Sequence, residues 1–564
     1  MSTRLPAFAM GQWLPKSVLC LRNYTLQDFF ADLGAGVTVG FVALPLAMAF
    51  AIASGLSPQS GIYCAVVTGF LISALGGSRV QIGGPTGAFV VVIAGIIAKH
   101  GVDGLFMCTM MAGVLLFIMG ATGLGAAVKF IPRPVVLGFT NGIAVLIAST
   151  QIKDFFGLRI DHVPGDFIGR MHTLADNFYT ISWEATALGV MSIAVILLTT
   201  KLIKRLPGYI VALVLGTIAV VLLKLPVETI GTRFGGIPSG PPHLHIPQFH
   251  WNMVHGLISP AITVAMLGAI ESLMSAVVAD RMCGDKHNPN VELIAQGIAN
   301  LASPMFGGLP ATGAIARTAT NIRSGARTPV AGMIHSVTLL AILLFAAPLA
   351  SHVPLGVLAG ILMVVSYNMG EWAETGKILR LSKSDISVWL ATFALTVFAD
   401  LTVAVEFGMI LAALLFIRKV TATTTVSEVT DDYVQAGRAH ILQDKDIPDY
   451  ARVFRIHGPF LFGATDKLDM VSEQLDSLPQ VVIIRLRNMT AIDATGLRVL
   501  EELATKLHDS GRSLLFCGAL PQPLHLMHQA GFDKHVGAEN ICPNIEAVLL
   551  RAEECIRETQ VGAS

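Results

Sequence analysis

Charge is what this sequence has least of. Asp, Glu, Lys and Arg make up 13% of its 564 residues, about half the ~25% of an ordinary soluble domain. The shortage is uneven. Of the 76 charged residues, 33 lie in residues 421–564, a normal density for a soluble stretch. The other 43 are spread thinly over residues 1–420. The chain therefore divides near Arg418-Lys419 into a membrane-embedded part and a soluble part. The organisation expected is a short N-terminal segment over 1–27, a membrane domain over 28–420, a polar linker over 421–450 and a soluble domain over 451–564. The soluble part holds 20 acidic against 13 basic residues, which argues against nucleic acid as a partner.

Other things are missing as well. Seven cysteines stand singly, with no metal or redox spacing, and read as small apolar fillers. Sixteen histidines show no ligand spacing; the run Pro242-His243-Leu244-His245 is a weak metal signal. No cleavable signal peptide is expected in the first 25 residues, because Pro6, Pro15, Lys16 and Arg22 interrupt them. No nucleophile–base constellation or phosphate-binding lysine loop stands out. The sequence thus gives no sign of an enzyme and none of a cofactor.

What is there is apolar length. About fourteen hydrophobic segments occupy residues 28–420, several close to the ~20 residues a membrane helix needs. Their centres fall near 42, 68, 92, 113, 141, 193, 215, 270, 296, 317, 338, 362, 392 and 409. With the N-terminus inside, thirteen basic residues from Arg79 to Lys383 fall in the inner connections, mostly short turns. The outer ones hold only Lys99, Lys153, Arg159, Arg170, Lys224 and Arg233. That bias places both termini in the cytoplasm.

Two segments are too short to cross a bilayer, and each follows a Gly/Pro-rich stretch. The first begins Gly83-Gly84-Pro85-Thr86-Gly87-Ala88, the second Gly307-Gly308-Leu309-Pro310-Ala311-Thr312-Gly313-Ala314. They are the third and tenth segments, equivalent places in two halves of seven. Paired broken helices at matching positions point to a transporter's midplane site. Irregular backbone at that depth is tolerated only where it lines a cavity. Two half-helix N-termini would aim free N–H groups and positive dipole ends at one point, which suits an anion. The alternative is a pair of ordinary Pro/Gly kinks.

Ionisable residues inside such segments are costly and usually functional. Arg317 sits one turn into the second short helix, among Ala314, Ile315, Ala316, Thr318 and Ala319. It reads as the fixed charge for an anion, or as a snorkelling or structural ion-pair residue. Glu271 lies mid-segment in Ile258–Met282, with Gly268 and Ser275 expected on the same small, polar face of a cavity wall. Desolvation there favours the neutral acid, so Glu271 can carry a proton; the alternative is a purely structural partner of Arg317. Asp32, Asp280, Asp400 and Glu406 lie near segment ends and read as interfacial.

At these residues the chain resembles the SulP family of anion transporters. The resemblance runs through Val42 to Ala51 (VALPLAMAFA), Gly76-Gly77-Ser78-Arg79 and Gly268-Ala269-Ile270-Glu271-Ser272-Leu273. It continues in Pro310 to Asn321 (PATGAIARTATN), which is similar to bacterial members that carry four-carbon dicarboxylates. It implies an all-α, seven-plus-seven inverted repeat with core and gate domains, a homodimer, and a bacterial inner membrane. It also implies a substrate site between the third and tenth spans. Phe50, Thr86, Gly87 and Ala88 would lie on one side, and Gly313, Ala314, Ile315, Ala316 and Arg317 on the other. Glu271 matches the family's acidic residue implicated in coupling to protons or sodium. Where vertebrate members have a serine, this chain has Ala316.

From Ala451 the pattern alternates strand and helix: Val453–Phe462 strand, Ala464–Leu478 helix, Val481–Leu486 strand, Thr495–Leu507 helix, Ser513–Cys517 strand. That predicts a small α/β sandwich. Asp493-Ala494-Thr495-Gly496 resembles the Asp-Ser-Ser-Gly of STAS domains, which implies a cytoplasmic regulator as a partner and Thr495 as a regulatory position. Asp493 or Thr495 as a plain helix cap is the simpler reading. Taken together, the expectation is proton-coupled uptake of a small anion. A dicarboxylate such as succinate leads on the resemblance, with sulfate or bicarbonate, sodium coupling, or an anion channel as alternatives. A membrane sensor is a weaker third class, because a sensor needs no opposed half-helices.

Overall fold

In the computed structural model the described residues are 13–125, 132–160, 163–202, 208–236, 240–244, 247, 250–380, 382–399, 401–428, 447–469, 471 and 474–562. The chain forms two compact units, residues 1–410 and 411–564.

The first unit is helical. Its long helices are α1 (Leu26–Ala53), α2 (Pro58–Leu75), α3 (Gly87–Ala121), α4 (Arg133–Phe156), α5 (Trp183–Leu202) and α6 (Gly208–Leu223). A second series follows: α7 (Trp251–Cys283), α8 (Pro289–Ala302), α9 (Ile315–Arg323), α10 (Val330–Ala350), α11 (Leu355–Met369), α12 (Lys383–Phe398) and α13 (Leu401–Thr423), whose residues from Leu411 on belong to the second unit. Gly101, at φ 70°, breaks α3 into two helices. With that break, all fourteen expected centres fall inside a helix. Among the described residues, eight helices are long and apolar enough to cross a membrane; α9, of nine residues, is far too short.

Packing sorts the helices into two groups. The first four segments of each half, α1 to α3 and α7 to α10, pack on one another, with α3 against α7 and α8 and α10 against α1 and α2. The second group joins α4 to α11 and α12, and α5 to α6 and α11. Small residues make the close approaches. A Cβ added at Gly138 would sit 2.6 Å from the Trp389 carbonyl, and one at Gly113 2.9 Å from the Gly297 carbonyl. Tight backbone contact is how membrane helices associate when lipid is as apolar as their side chains.

The second unit holds a five-stranded sheet of β3 (Thr425–Glu428), β4 (Ala451–Phe460), β5 (Val481–Ile492), β6 (Ser513–Cys517) and β7 (Ile541–Cys542), in that order. The pairs from β4 to β7 are parallel, and β3 joins β4 antiparallel at the edge. Both faces are covered, as parallel sheets require. Phe454, Ile484 and Phe516 pack with Leu500 of α14 (Ala494–Asp509). Val453, Ile483 and Leu515 pack with Val548 of α15 (Ile545–Gly562). Three expectations are adjusted. Thr425–Glu428, read as linker, is an edge strand. The strand expected to end at Leu486 runs on to Ile492. Where one helix was expected over Ala464–Leu478, the described residues include 3-10 turns at Thr465–Leu468 and Leu475–Ser477. Linker residues 429–446 lie outside the described residues.

Candidate anion site

Two short strands precede the half-helices and pair across the molecule: β1 (Gly83–Gly84) with β2 (Thr312–Gly313), antiparallel. The Ala314 amide donates to the Ile82 carbonyl at 2.8 Å, and the Ile82 amide donates to the Thr318 hydroxyl at 3.0 Å. Backbone groups freed by the broken helices are thereby satisfied, as burial demands. Glycine is required at two of these positions. A Cβ on Gly313 would lie 1.6 Å from Gln81 Nε2. Gly84 has φ 152°, and a Cβ there would lie 2.5 Å from Arg317 Nη1.

The strands deliver two helix starts. Thr86 is the N-cap of α3 and Ala314 the N-cap of α9, and neither helix has a side-chain cap. The amides of Gly87 and Ala88 in α3 and of Ile315, Ala316 and Arg317 in α9 have no intrahelical acceptor, whereas Phe89 already donates to the Thr86 carbonyl at 3.3 Å. Phe50, Thr86, Gly87 and Ala88 line one cavity of about 290 Å3 together with Ala314, Ile315, Ala316 and Arg317. Gly313 stands just behind it, in β2. Val135 and Phe139 of α4 and Met369 of α11 also line the cavity.

Arg317 is 2% exposed. Its Nη2 donates to the Pro85 carbonyl at 2.7 Å, and its Nη1 is buried with no hydrogen-bond partner. The guanidinium is thus locked to the start of the other half-helix while keeping unused donor capacity. Glu271 lines the same cavity and accepts from the Thr86 hydroxyl at 2.8 Å. No hydrogen bond or ion pair joins Glu271 to Arg317 among the described residues.

The sequence reading of α7 needs one correction. Gly268 and Ser275 do not share the cavity wall with Glu271. The wall is Leu267, Ile270, Glu271 and Met274, the i, i+3, i+4, i+7 stripe of a helix. One step round the helix, Gly268 offers its carbonyl to the Thr312 hydroxyl at 2.8 Å, and Ser275 meets the Thr318 hydroxyl at 3.1 Å. Ser272, on the same side, receives Gln81 Nε2 at 3.0 Å. Small residues on α7 therefore hold the broken segments rather than line the cavity.

A second buried acid was not anticipated. Glu292 of α8 is fully buried and accepts from the amides of Gly77 and Ser78 at 3.0 and 3.2 Å. It also accepts from Gln296 Nε2 at 3.1 Å and the Ser272 hydroxyl at 3.3 Å. The Gly76-Gly77-Ser78 run is the half of this contact visible in sequence. A Cβ on Gly76 would stand 2.9 Å from Glu292 Oε2. Asp32, read as interfacial, is fully buried and accepts from the Arg327 and Thr328 amides at 2.7 and 3.0 Å. Asp280 binds the ring of His287 at 2.7 Å. Asp400, His245 and the Glu406 side chain lie outside the described residues. Among the described residues no cluster of His, Cys, Asp and Glu can hold a metal ion.

In the second unit Asp493 caps α14, accepting from the Gly496 amide at 2.8 Å, and it also accepts from the Phe462 amide at 3.0 Å. Thr495 is exposed in the first turn of α14.

Two opposed half-helices, a buried arginine and a membrane-length helical frame define a multi-span carrier of anions. Residues 29–392 match the model of the Sulfate permease family, and residues 443–548 match that of the STAS domain. The chain belongs to the sulfate permease, or SulP, family and is a multi-pass anion transporter with a C-terminal STAS domain. It is 42% identical to YvdB of Bacillus subtilis, provisionally named a sulfate transporter, over 92% of this chain and 97% of that one. It is 30% identical to the bicarbonate transporter BicA of Picosynechococcus over 95% of each. The transmembrane domain of a cyanobacterial BicA superposes with TM-score 0.62 at 34% identity, over 69% of this chain and 98% of that domain. Murine Slc26a9, an anion transporter in the inward-facing state, shares the fold with TM-score 0.86 at 18% identity, over 98% and 96%. These relatives are transporters, not enzymes.

Proposed function

We propose that this protein takes up a small oxyanion together with a proton, binding the anion between the starts of α3 and α9. The observation that carries the reading is the convergence of two helix N-termini without side-chain caps on a cavity that Arg317 lines with unused donor capacity. Helix N-termini and a guanidinium both favour an oxyanion. Sulfate and bicarbonate come first, since relatives with full-length similarity bear those names. A four-carbon dicarboxylate is the second reading. It is favoured by the apolar side chains around the charges, Phe50, Phe139 and Ile270 among them, which suit a carbon skeleton.

Glu271 is assigned the proton. It sits at the cavity beside the anion rather than in an ion pair, so its charge state bears directly on the anion's binding. Sodium in place of the proton is the alternative, and an imposed sodium gradient separates the two. The STAS domain serves a cytoplasmic regulator, with Thr495 open to modification, and the carrier works as a homodimer in a bacterial inner membrane with both termini inside. Cysteine labelling in intact cells tests that topology: residue 166 reacts from outside and residue 380 does not, and the reverse pattern inverts it. The function itself is tested by uptake of labelled sulfate, bicarbonate and succinate into proteoliposomes. Accumulation of one of them driven by a pH gradient is expected. Rapid flux of all three that follows voltage alone would make the protein a channel.

A further inference from the structure

We propose that Glu371 is a charge-selecting residue at the mouth of the cavity, setting the preference between singly and doubly charged anions. The inference rests on the anion reading above. Three charged side chains among the described residues line the cavity: Glu271, Arg317 and Glu371. Glu371 follows α11 and begins the helix Trp372–Ile378. It lines the cavity and is also exposed, so it stands where the cavity meets solvent.

Its backbone is unusual. Glu371 has φ 43° and ψ 42°, and Lys224 is the one other non-glycine residue with positive φ among the described residues. Glycine or asparagine adopts that conformation more readily, and strained residues of this kind persist where their surroundings fix them. The surroundings here are specific. Asn141 of α4, fully buried, donates to the Gly370 carbonyl. Its Oδ1 accepts from Thr375 Oγ1 at 2.9 Å and Trp389 Nε1 at 2.8 Å. The residue before Glu371 and the turn after it are therefore held from one point.

The nearby cations make their direct contacts with another acid, although Arg133 also attracts the Glu371 carboxylate through space. Arg133 and Lys377 both bind Glu374, each at 2.6 Å. No ion pair or side-chain hydrogen bond engages Glu371 among the described residues. A carboxylate at the mouth of an anion cavity, its nearby cation Arg133 already bound to Glu374, lowers the affinity for any anion inside. Coulomb energy is linear in the anion's charge, so the affinity penalty for a dianion is the square of the penalty for a monoanion. Salt weakens it, because the mouth is open to solvent.

The test is binding of sulfate and bicarbonate, at pH 8 and low ionic strength, to the full-length protein in lipid nanodiscs. Glu371→Gln should tighten sulfate roughly tenfold and bicarbonate roughly threefold, the square root of that factor, and 1 M salt should shrink both gains. Glu371→Asp should keep the parent's ratio. Glu371→Gly removes the charge and suits the backbone, so it should behave as the Gln variant does and covers the case in which Gln misfolds. Equal gains for the two anions, or no gain in either charge-removing variant, overturn the inference while leaving the anion site standing. A parent that binds neither anion overturns both.

Discussion

The Thr86 hydroxyl donates to the Glu271 carboxylate across 2.8 Å, tying the start of the first half-helix to the acid on α7. Thr86, the N-cap residue of α3, is thus also the partner of the proposed proton carrier. On the proposed reading, protonating Glu271 changes what Thr86 can donate to, at the start of the turn proposed to face the anion. In that reading one hydrogen bond links the proton site to the anion site.

On the proposed reading, Arg317 supplies the fixed positive charge for the anion. Arg317→Ala should weaken anion binding by about 1.5–3 kcal/mol, the range for a hydrogen bond to a charged group, or roughly ten- to a hundredfold. Arg317→Lys should recover part of this, lacking the planar fork that suits an oxyanion. Unchanged binding in a folded Ala variant would make Arg317 purely structural.

Gly313 is required by Gln81. Gly313→Ala drives a methyl to within 1.6 Å of Gln81 Nε2, and overpacking of this kind costs about 1–3 kcal/mol or more. In a Gln81→Ala background the same substitution should cost much less. Melting of the four proteins in detergent measures the coupling. A Gly313→Ala penalty that is the same in both backgrounds would show that Gln81 is not what forbids the side chain.

Much of this was legible in the sequence, for identifiable reasons. Thr86-Gly87-Ala88 and Thr312-Gly313-Ala314 announce themselves because broken helices need glycine and proline, and an intramembrane Arg317 or Glu271 is too costly to be incidental. Glu292 escaped notice because α8 is short and its acid could equally have faced solvent; nothing local reveals amide partners more than 200 residues away. The role of Gly268 and Ser275 was misjudged for a related reason. Helical spacing tells which residues share a face, but not whether that face meets a cavity or another backbone. The edge strand Thr425–Glu428 was missed because one apolar residue, Val426, in a stretch of four carries almost no period-2 signal.

Asp493 holds the STAS turn from two sides. Asp493→Ala removes acceptors from the Gly496 and Phe462 amides, and loss of such a cap costs about 0.5–2 kcal/mol. Hydrogen exchange on the full-length protein should show both amides less protected in the Ala variant and little changed in Asp493→Asn. If protection at Phe462 does not respond, the link from Asp493 to the β4 end is not maintained in solution.

Proton coupling through Glu271 is the central claim, and one measurement addresses it directly. Glu271→Gln fixes a neutral side chain in place of the protonated acid, at nearly the same size. Reconstituted beside the parent, it should still bind labelled anion and exchange it across the vesicle membrane. It should fail to accumulate anion above equilibrium when an inward proton gradient is imposed, whereas the parent concentrates it. A Gln variant that concentrates anion as well as the parent would contradict the account and place the coupling proton elsewhere.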